Sequence, residues 1–504
     1  MAADGEYTAI GAFVGSFTGT VGVWPPRLIF AQLIVAAWFL WNPAGAPVAG
    51  LPLDDAWIHL VYGRALLEHG LPYYNPGQME AGWTSPAQAV ISAAVVAISH
   101  VGIPVAVVAK LASLFLTLPA TVLAGRIAAR RAGAVAGTMA AALVALSPTV
   151  AFAQLSGMEV GLCSTLILLT LDRCDRGLSP GWVLACAILA RPECILLIPA
   201  VALASRPRSL LPALVATSLW AAANLEITGR PLPPTFYAKA EPISLSNLIL
   251  AGRALTSACP GLLLGTPLWI WVVAAALRAR RWGESAFSVF PLVFIVAVAA
   301  GRHVSADASY FYFLRYFLPV EPLFAVGVAV GVAGLADRLR LAGITLGAVL
   351  LIAGFPELAS RRDLYAAQCQ NIEEMQGVIA DYLMQNATPG DKVATIDAGV
   401  VRYRSGLPTY DLVGLNNHEL LRDSTLRKRL LTDSGALASW MDENGIQWLV
   451  TFPGVIPHAQ PAADPGHFFG IVLDRTSEDY RVAPPAQGRM VLAHRLVVAP
   501  SAPL

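Results

Sequence analysis

Thr84-Ser85-Pro86-Ala87-Gln88-Ala89-Val90-Ile91-Ser92-Ala93-Ala94-Val95-Val96-Ala97-Ile98-Ser99 is the stretch on which the architecture turns. It is apolar, yet short of the roughly 20 residues that a hydrocarbon core about 30 Å thick requires. If it crosses a membrane, every later segment changes sides. We read it as lying in the outer interface or dipping in and out. Outward from it, long apolar runs cover 28–48, 104–125, 134–153, 158–172, 209–228, 260–277, 285–302, 318–336 and 340–356. Two shorter runs, 181–190 and 193–204, flank Arg191-Pro192-Glu193 and read as the half-length helices of a hairpin. With 84–99 held outside, five basic turns share one side: Arg126-Arg130-Arg131, Arg173-Arg176, Arg206-Arg208, Arg278-Arg280-Arg281 and Arg338-Arg340. Basic residues belong on the cytoplasmic side. The expectation is a mainly α membrane protein of about 11 transmembrane helices with a cytoplasmic N-terminus.

Composition supports the class. Hydrophobic residues make up 56% of the 504 and charged residues 13%. A soluble domain carries about 25% charged residues. Mean hydropathy is +0.60. Net charge is +1, and no basic stripe interleaves with aromatics, so nucleic acid is not an expected partner. The six cysteines form no CxxC pair and read as small buried apolar residues rather than a disulfide frame or zinc site. Residues 9–24 are Gly-rich with no basic region before them, unlike a secretory signal. The run after Arg27 reads as an uncleaved anchor.

Residues 357–504 change character. Charges are mixed and patterns short. Lys392-Val393-Ala394-Thr395-Ile396, Gln447-Trp448-Leu449-Val450-Thr451-Phe452 and Arg489-Met490-Val491-Leu492-Ala493 read as strands between helical segments such as 370–385 and 434–444. Two domains are expected: 1–356 in the membrane, with an outer loop over 50–103, and an extracytoplasmic α/β domain over 357–504. The tail from Pro500 reads as disordered.

The same topology gathers the unusual polar residues on the outer face. Leu53-Asp54-Asp55-Ala56-Trp57-Ile58-His59 opens the first outer loop, which continues through Arg64, Glu68, His69 and Glu80-Ala81-Gly82-Trp83-Thr84-Ser85-Pro86. Asp54 or Asp55 can cap the helix that follows, or serve as a carboxylate base or ligand at the membrane surface. Glu159 follows Ser156-Gly157-Met158 at the outer end of a run. Arg191 and Glu193 sit at the turn of the short hairpin. Ionisable groups at membrane depth are functional candidates, although one structural pair, Arg191 with Glu193 or Glu159, is an equal reading. Prolines in Gly229-Arg230-Pro231-Leu232-Pro233-Pro234-Thr235-Phe236-Tyr237-Ala238-Lys239 stiffen a loop that presents Tyr237 and Lys239 either to an anionic group or to the interface. Beyond His303 and Asp307, the aromatic run from Tyr310 to Phe317 reads as an interface belt, with Arg315 the residue of interest. Walker A, GxGxxG and HExxH signatures are missing, and no strand-to-helix GxSxG elbow is read, so nothing supplies a nucleotide site.

The ordered set of these stretches resembles the GT-C superfamily of polyprenyl-phosphate-sugar-dependent glycosyltransferases. The likeness is to bacterial members of the mycobacterial arabinofuranosyltransferase type. It rests on Asp54-Asp55-Ala56-Trp57-Ile58, Gly70-Leu71-Pro72-Tyr73-Tyr74-Asn75-Pro76-Gly77, Glu80 to Pro86, Ser156-Gly157-Met158-Glu159, Arg191-Pro192-Glu193, Pro231 to Lys239 and Arg315-Tyr316-Phe317-Leu318-Pro319. Ser405-Gly406-Leu407-Pro408 through Asp411-Leu412-Val413-Gly414-Leu415 adds to it in the outer domain. The resemblance implies a GT-C-like bundle in a bacterial inner membrane, and inverting transfer of a sugar from a polyprenyl-phosphate donor to a glycan or lipid hydroxyl. It makes Asp55 the preferred base, with Asp54 still open. It makes Lys239, Arg191, Arg315 and Tyr237 phosphate contacts, and Glu159, Glu193, His59, Glu80 and Trp83 substrate contacts. No cofactor is certain, and a divalent cation is left open. The WWYD signature is absent, so protein N-glycosylation is not implied. A lipid or glycan transporter or flippase, and an inactive glycan-binding scaffold, are the competing classes; the lack of an internal repeat argues against the transporter.

Overall fold

The computed structural model describes residues 24–240, 244–259, 263–301, 314–451, 469–472 and 491–494. His303, Asp307, Tyr310 to Phe313, most of the Gly-rich N-terminal stretch and the tail lie outside these residues.

The chain opens with α1 (Trp24–Phe39), then α2 (Asp54–His69), a two-stranded antiparallel ribbon of β1 (Tyr73–Asn75) and β2 (Gln78–Met79), and α3 (Pro86–Ser99). At 14 residues, α3 is about 21 Å long at 1.5 Å per residue, too short to span a hydrocarbon core. Ser85 caps it by accepting from the Gln88 N–H, and Pro86 occupies its first turn. Its buried side lies against α2, the helix on which the acidic pair sits.

Next comes α4 (Val105–Ala145), 41 residues broken by non-helical geometry at Ala132 and Gly133. Gly133 has φ 79°, which costs glycine little and other residues much. The runs at 104–125 and 134–153 thus meet at a kink beside Arg130 and Arg131 rather than across a loop. After α5 (Pro148–Ala153) and α6 (Val160–Asp175), α7 (Gly181–Ala190) ends where Arg191 turns extended. A 3-10 turn over Pro192–Leu197 leads into α8 (Ile198–Ala204). The break at Arg191-Pro192 is where the sequence places it.

The bundle continues through α9 (Leu211–Thr228), α10 (Pro234–Lys239), α11 (Leu245–Ala258), α12 (Thr266–Arg278), α13 (Trp282–Gly301), α14 (Glu321–Arg338) and α15 (Arg340–Ile352). Helix α14 packs along α4 at the centre, and both feed one apolar core that includes Ile127, Phe152, Phe294, Val328 and Ala329. Among the described residues, five helical runs are long and apolar enough to cross a membrane: Val105–Ala145, Pro207–Thr228, Trp282–Gly301, Leu318–Arg338 and Arg340–Asn386. Phe115, Trp182, Leu219 and Leu341 are exposed large hydrophobics on this bundle, the surface a bilayer would cover.

Only Ala353 and Gly354 separate α15 from α16 (Phe355–Ile372), which passes through a π turn (Glu373–Gly377) into α17 (Val378–Asn386). No linker marks residue 357. Tyr365 on α16 is fully buried against Phe152 and Phe39 and donates to the Leu155 carbonyl at 3.0 Å. Burying one such aromatic is worth about 1.5–3 kcal/mol, which fastens α16 to the bundle. A C-terminal α/β layer then follows: β3 (Val393–Thr395), α18 (Val400–Ser405), β4 (Thr409–Asp411), α19 (His418–Arg422), α20 (Ser424–Thr432), α21 (Ser434–Glu443), β5 (Trp448–Thr451), β6 (Phe469–Val472) and β7 (Val491–His494). The sheet order is β4-β3-β5-β7-β6. Strands β4, β3 and β5 run parallel, and β7 is antiparallel to both β5 and β6. The three strand readings fall on β3, β5 and β7. Continuous apolar burial of β3 and β5 suits parallel strands covered on both faces.

Candidate active site

Asp54 and Asp55 begin α2, and neither caps it. The N-cap position is Leu53, which has no side-chain acceptor. The two carboxylates diverge because adjacent helical residues are turned about 100° apart. Asp54 reaches the C-terminal α/β layer, where it accepts from Gly399 N at 2.7 Å and Val400 N at 2.8 Å, the amides that open α18. It therefore caps a helix 345 residues away in sequence. A Cβ at Gly399 would lie 2.1 Å from the Asp54 carbonyl oxygen, so this close approach requires glycine. Burial and the neighbouring Asp397 raise the proton affinity of Asp54, opposed by the two amides.

Asp55 enters a cleft of about 540 Å³, including its open mouth. Its Oδ2 accepts from Arg315 Nη2 at 2.7 Å, and its Oδ1 lies 3.5 Å from Lys239 Nζ. Both cations also donate to Tyr316 Oη, at 3.0 Å from Arg315 and 3.4 Å from Lys239. Burial alone would raise the Asp55 pKa, but Arg315 and Lys239 hold it well below the usual carboxylate range.

One turn further along α2, His59 brings Nε2 to 3.5 Å from Glu159 Oε2. Glu159 Oε1 accepts from Arg191 Nη2 at 2.7 Å. The even-handed reading of that pair resolves to Arg191 with Glu159, and both line the cleft with Glu193. The loop carrying Glu159 is pinned by Gln88 of α3, which donates to the Gly157 carbonyl, and by Ser113 of α4, which donates to that of Met158. His59 Nδ1 and Arg191 Nε are buried in the cleft wall without a hydrogen-bond partner among the described residues. The Tyr316 ring lies 5.4 Å from the Arg191 guanidinium and 5.0 Å from that of Arg315, so one aromatic touches three cations.

Three candidates lie elsewhere. Glu80 binds His418 at its ring Nδ1 (2.9 Å) and backbone N–H (3.1 Å). Trp83 stacks on Tyr62 with centroids 6.1 Å apart. Tyr237 sits under Arg230 at 4.8 Å. None of them lines the cleft. Gly82 explains why the loop is built this way: a Cβ there would meet Asn416 Oδ1 at 2.2 Å and the Leu415 carbonyl at 2.5 Å. Tyr62 Oη donates to Asn416 Oδ1 and accepts from Gly82 N. Asn75 exchanges two hydrogen bonds with the backbone of Thr409. The 50–103 loop and the Asp411-to-Leu415 stretch are thus two sides of one contact.

Sequence reasoning passed over Tyr316 as an interface aromatic; its place between Lys239, Arg191 and Arg315 has no local signature. It also passed over Glu321, buried at the start of α14, where it accepts from Ser147 and Thr149 in a separate cavity. Among the described residues no three His, Cys, Asp or Glu side chains converge as a metal site. The cleft carboxylates face guanidinium and ammonium groups instead, a donor set that does not fit a divalent cation.

A kinked central bundle, an acid-bearing loop after the first helix and a C-terminal α/β layer together define a GT-C-like fold. ArnT from Cupriavidus metallidurans, in a structure bound to undecaprenyl phosphate, matches with a TM-score of 0.57 at 13% identity over 94% of this chain and 98% of that one. The Archaeoglobus fulgidus oligosaccharyltransferase, tethered with an acceptor peptide, matches at 0.56 and 11% over 86% and 69%. Mycobacterial arabinofuranosyltransferase AftD matches at 0.50 and 17% over 94% of this chain and 40% of its own. At these identities the likeness is one of fold. Residues 367–494 match a family model described as a domain of unknown function, DUF8728. A comparison with curated protein sequences returns no match.

Proposed function

We propose that the protein is an inverting glycosyltransferase. It moves a sugar from a polyprenyl-phosphate donor to a glycan or lipid hydroxyl on the outer face of a bacterial inner membrane. The observation that carries this reading is the Asp55 carboxylate held in a cleft by Lys239 and Arg315 around Tyr316. ArnT carries undecaprenyl phosphate in its solved structure, and the same class of lipid suits three cations here.

In this scheme the acceptor oxygen attacks the anomeric carbon, the bond from that carbon to the phosphate oxygen breaks, and the acceptor proton passes to Asp55. The leaving phosphate needs little protonation, since cations opposite it stabilise its charge. Asp55 must come within about 3 Å of the acceptor hydroxyl. In this structure it is tied to the two cations that a phosphate would bind. A donor phosphate replaces the carboxylate on Lys239 and Arg315, which frees Asp55 and raises its proton affinity when a base is needed. Arg191, oriented by Glu159, is a further phosphate contact. His59 and Glu193 face the sugar. The 1–356 part is the transferase unit, with residues from 357 onward on the outer side.

The test is transfer from candidate polyprenyl-phosphate sugars by the purified protein and its Asp55→Asn variant. Full activity in the variant removes Asp55 as base. No turnover with any donor, together with no retained polyprenyl phosphate, sinks the enzyme reading.

A further inference from the structure

We propose that the groove between α2 and α18 is a second site, one that binds a phosphate-type oxyanion through Arg64 and Arg402. This groove, about 430 Å³, is walled by Arg64, Glu68, His69, Tyr73, Arg402 and Tyr403. It shares no lining residue with the Asp55 cleft. Arg64 stands nine residues beyond Asp55, about 13 Å along the helix.

Both guanidiniums are held in place by neutral groups. Arg64 Nη1 donates to the Tyr403 carbonyl at 3.0 Å, and its plane lies 3.8 Å from the Tyr403 ring centroid. Arg402 Nε donates to the Tyr74 carbonyl at 2.9 Å. Among the described residues neither arginine forms an ion pair. The acid on the groove wall, Glu68, pairs with His69 at 3.8 Å instead. Burial lowers the pKa of Arg402 and Arg64 acts in the same direction, while Tyr74 and Glu68 oppose them.

Two like charges on one groove wall, offset only by the half-exposed Glu68, are unfavourable in the free protein. A bound oxyanion relieves that repulsion. Guanidinium forks whose orientation is already set by carbonyl and aromatic contacts lose little further freedom on binding it. Tyr73 and His69 add hydrogen-bonding groups at the rim. The ligand chemistry is therefore a phosphate group, carried either by an anionic lipid or by a soluble phosphorylated molecule.

Full-length protein in neutral detergent is titrated with inorganic pyrophosphate. In parallel, it is placed in phosphatidylcholine nanodiscs with and without phosphatidylglycerol, and retained lipid is read by native mass spectrometry. Arg64→Gln/Arg402→Gln is expected to weaken one of these interactions at least about tenfold, the loss of one charge-assisted pair. Arg64→Lys/Arg402→Lys keeps part of it, and the single Arg64→Gln serves if the double variant does not fold. Lys239→Gln, run alongside, scores binding in the Asp55 cleft separately and leaves the groove intact. Loss of pyrophosphate binding marks a soluble ligand, and loss of phosphatidylglycerol retention marks a lipid. Wild-type binding of both probes by the folded glutamine variants overturns the proposal.

Discussion

At the scale of single residues, Asp54 and Asp55 show how little residue type says about role. One caps a distant helix, and the other meets two cations. Asp55→Asn is expected to cut transfer by about 10²–10⁴-fold, the range for a lost general base. The same substitution should tighten binding of polyprenyl phosphate, since the internal anion that competes for Lys239 and Arg315 is gone; calorimetric titration checks this, and equal or weaker binding refutes the competition. Asp54→Asn should leave turnover largely intact while costing stability of about 1–3 kcal/mol, because an amide cannot accept from both α18 amides. Lys239→Ala should raise the donor KM with a smaller change in kcat, as read by initial rates across donor concentrations.

Among elements, the joint between the 50–103 loop and the C-terminal α/β layer is the organising contact. Gly399→Ala should separate α18 from α2 and lower the melting temperature, since the added methyl meets the Asp54 backbone. The Glu80–His418 contact makes the joint pH-dependent. Its hydrogen bond to Glu80 raises the His418 pKa above the ordinary 6.5, against the opposing effect of burial. The contribution is therefore full below pH 6.5 and fades as pH rises through the higher folded value. Melting curves over roughly pH 5.5–8.5 should show that slope in the wild type and a flatter one in Glu80→Gln. The resemblance grouped Glu80 and Trp83 with the substrate, since both fall in the Glu80-to-Pro86 stretch that carries it. Only the packing of Gly82 against Leu415 and Asn416 turns Glu80 outward to His418.

For the molecule as a whole, the short α3 and the distribution of charge are the basis of the proposed orientation. Helix α6 carries Glu159 at its start, by the cleft, and Asp172 and Asp175 at its end, where they pair with Arg130 and Arg131 at the kink of α4. Those ends are about 20 Å apart along the helix. With an outer cleft, Gly177→Cys should react with a membrane-impermeant maleimide only after the membrane is opened, and Thr388→Cys should react from outside in intact cells. The reverse pattern overturns the orientation.

By itself the sequence determined the membrane class, the break at Arg191-Pro192, three strands of the layer and the acids and bases that line the cleft. Composition and short-range periodicity are local quantities, and buried charge in an apolar chain is costly enough to stand out. The tertiary structure alone decided which aspartate faces the cations, that Tyr316 joins Lys239, Arg191 and Arg315, and that Glu80, Trp83 and Tyr237 lie outside the cleft. The first two rest on contacts such as Lys239 with Tyr316, 77 positions apart, and Asp54 with Gly399, 345 apart, and no local pattern encodes such a distance.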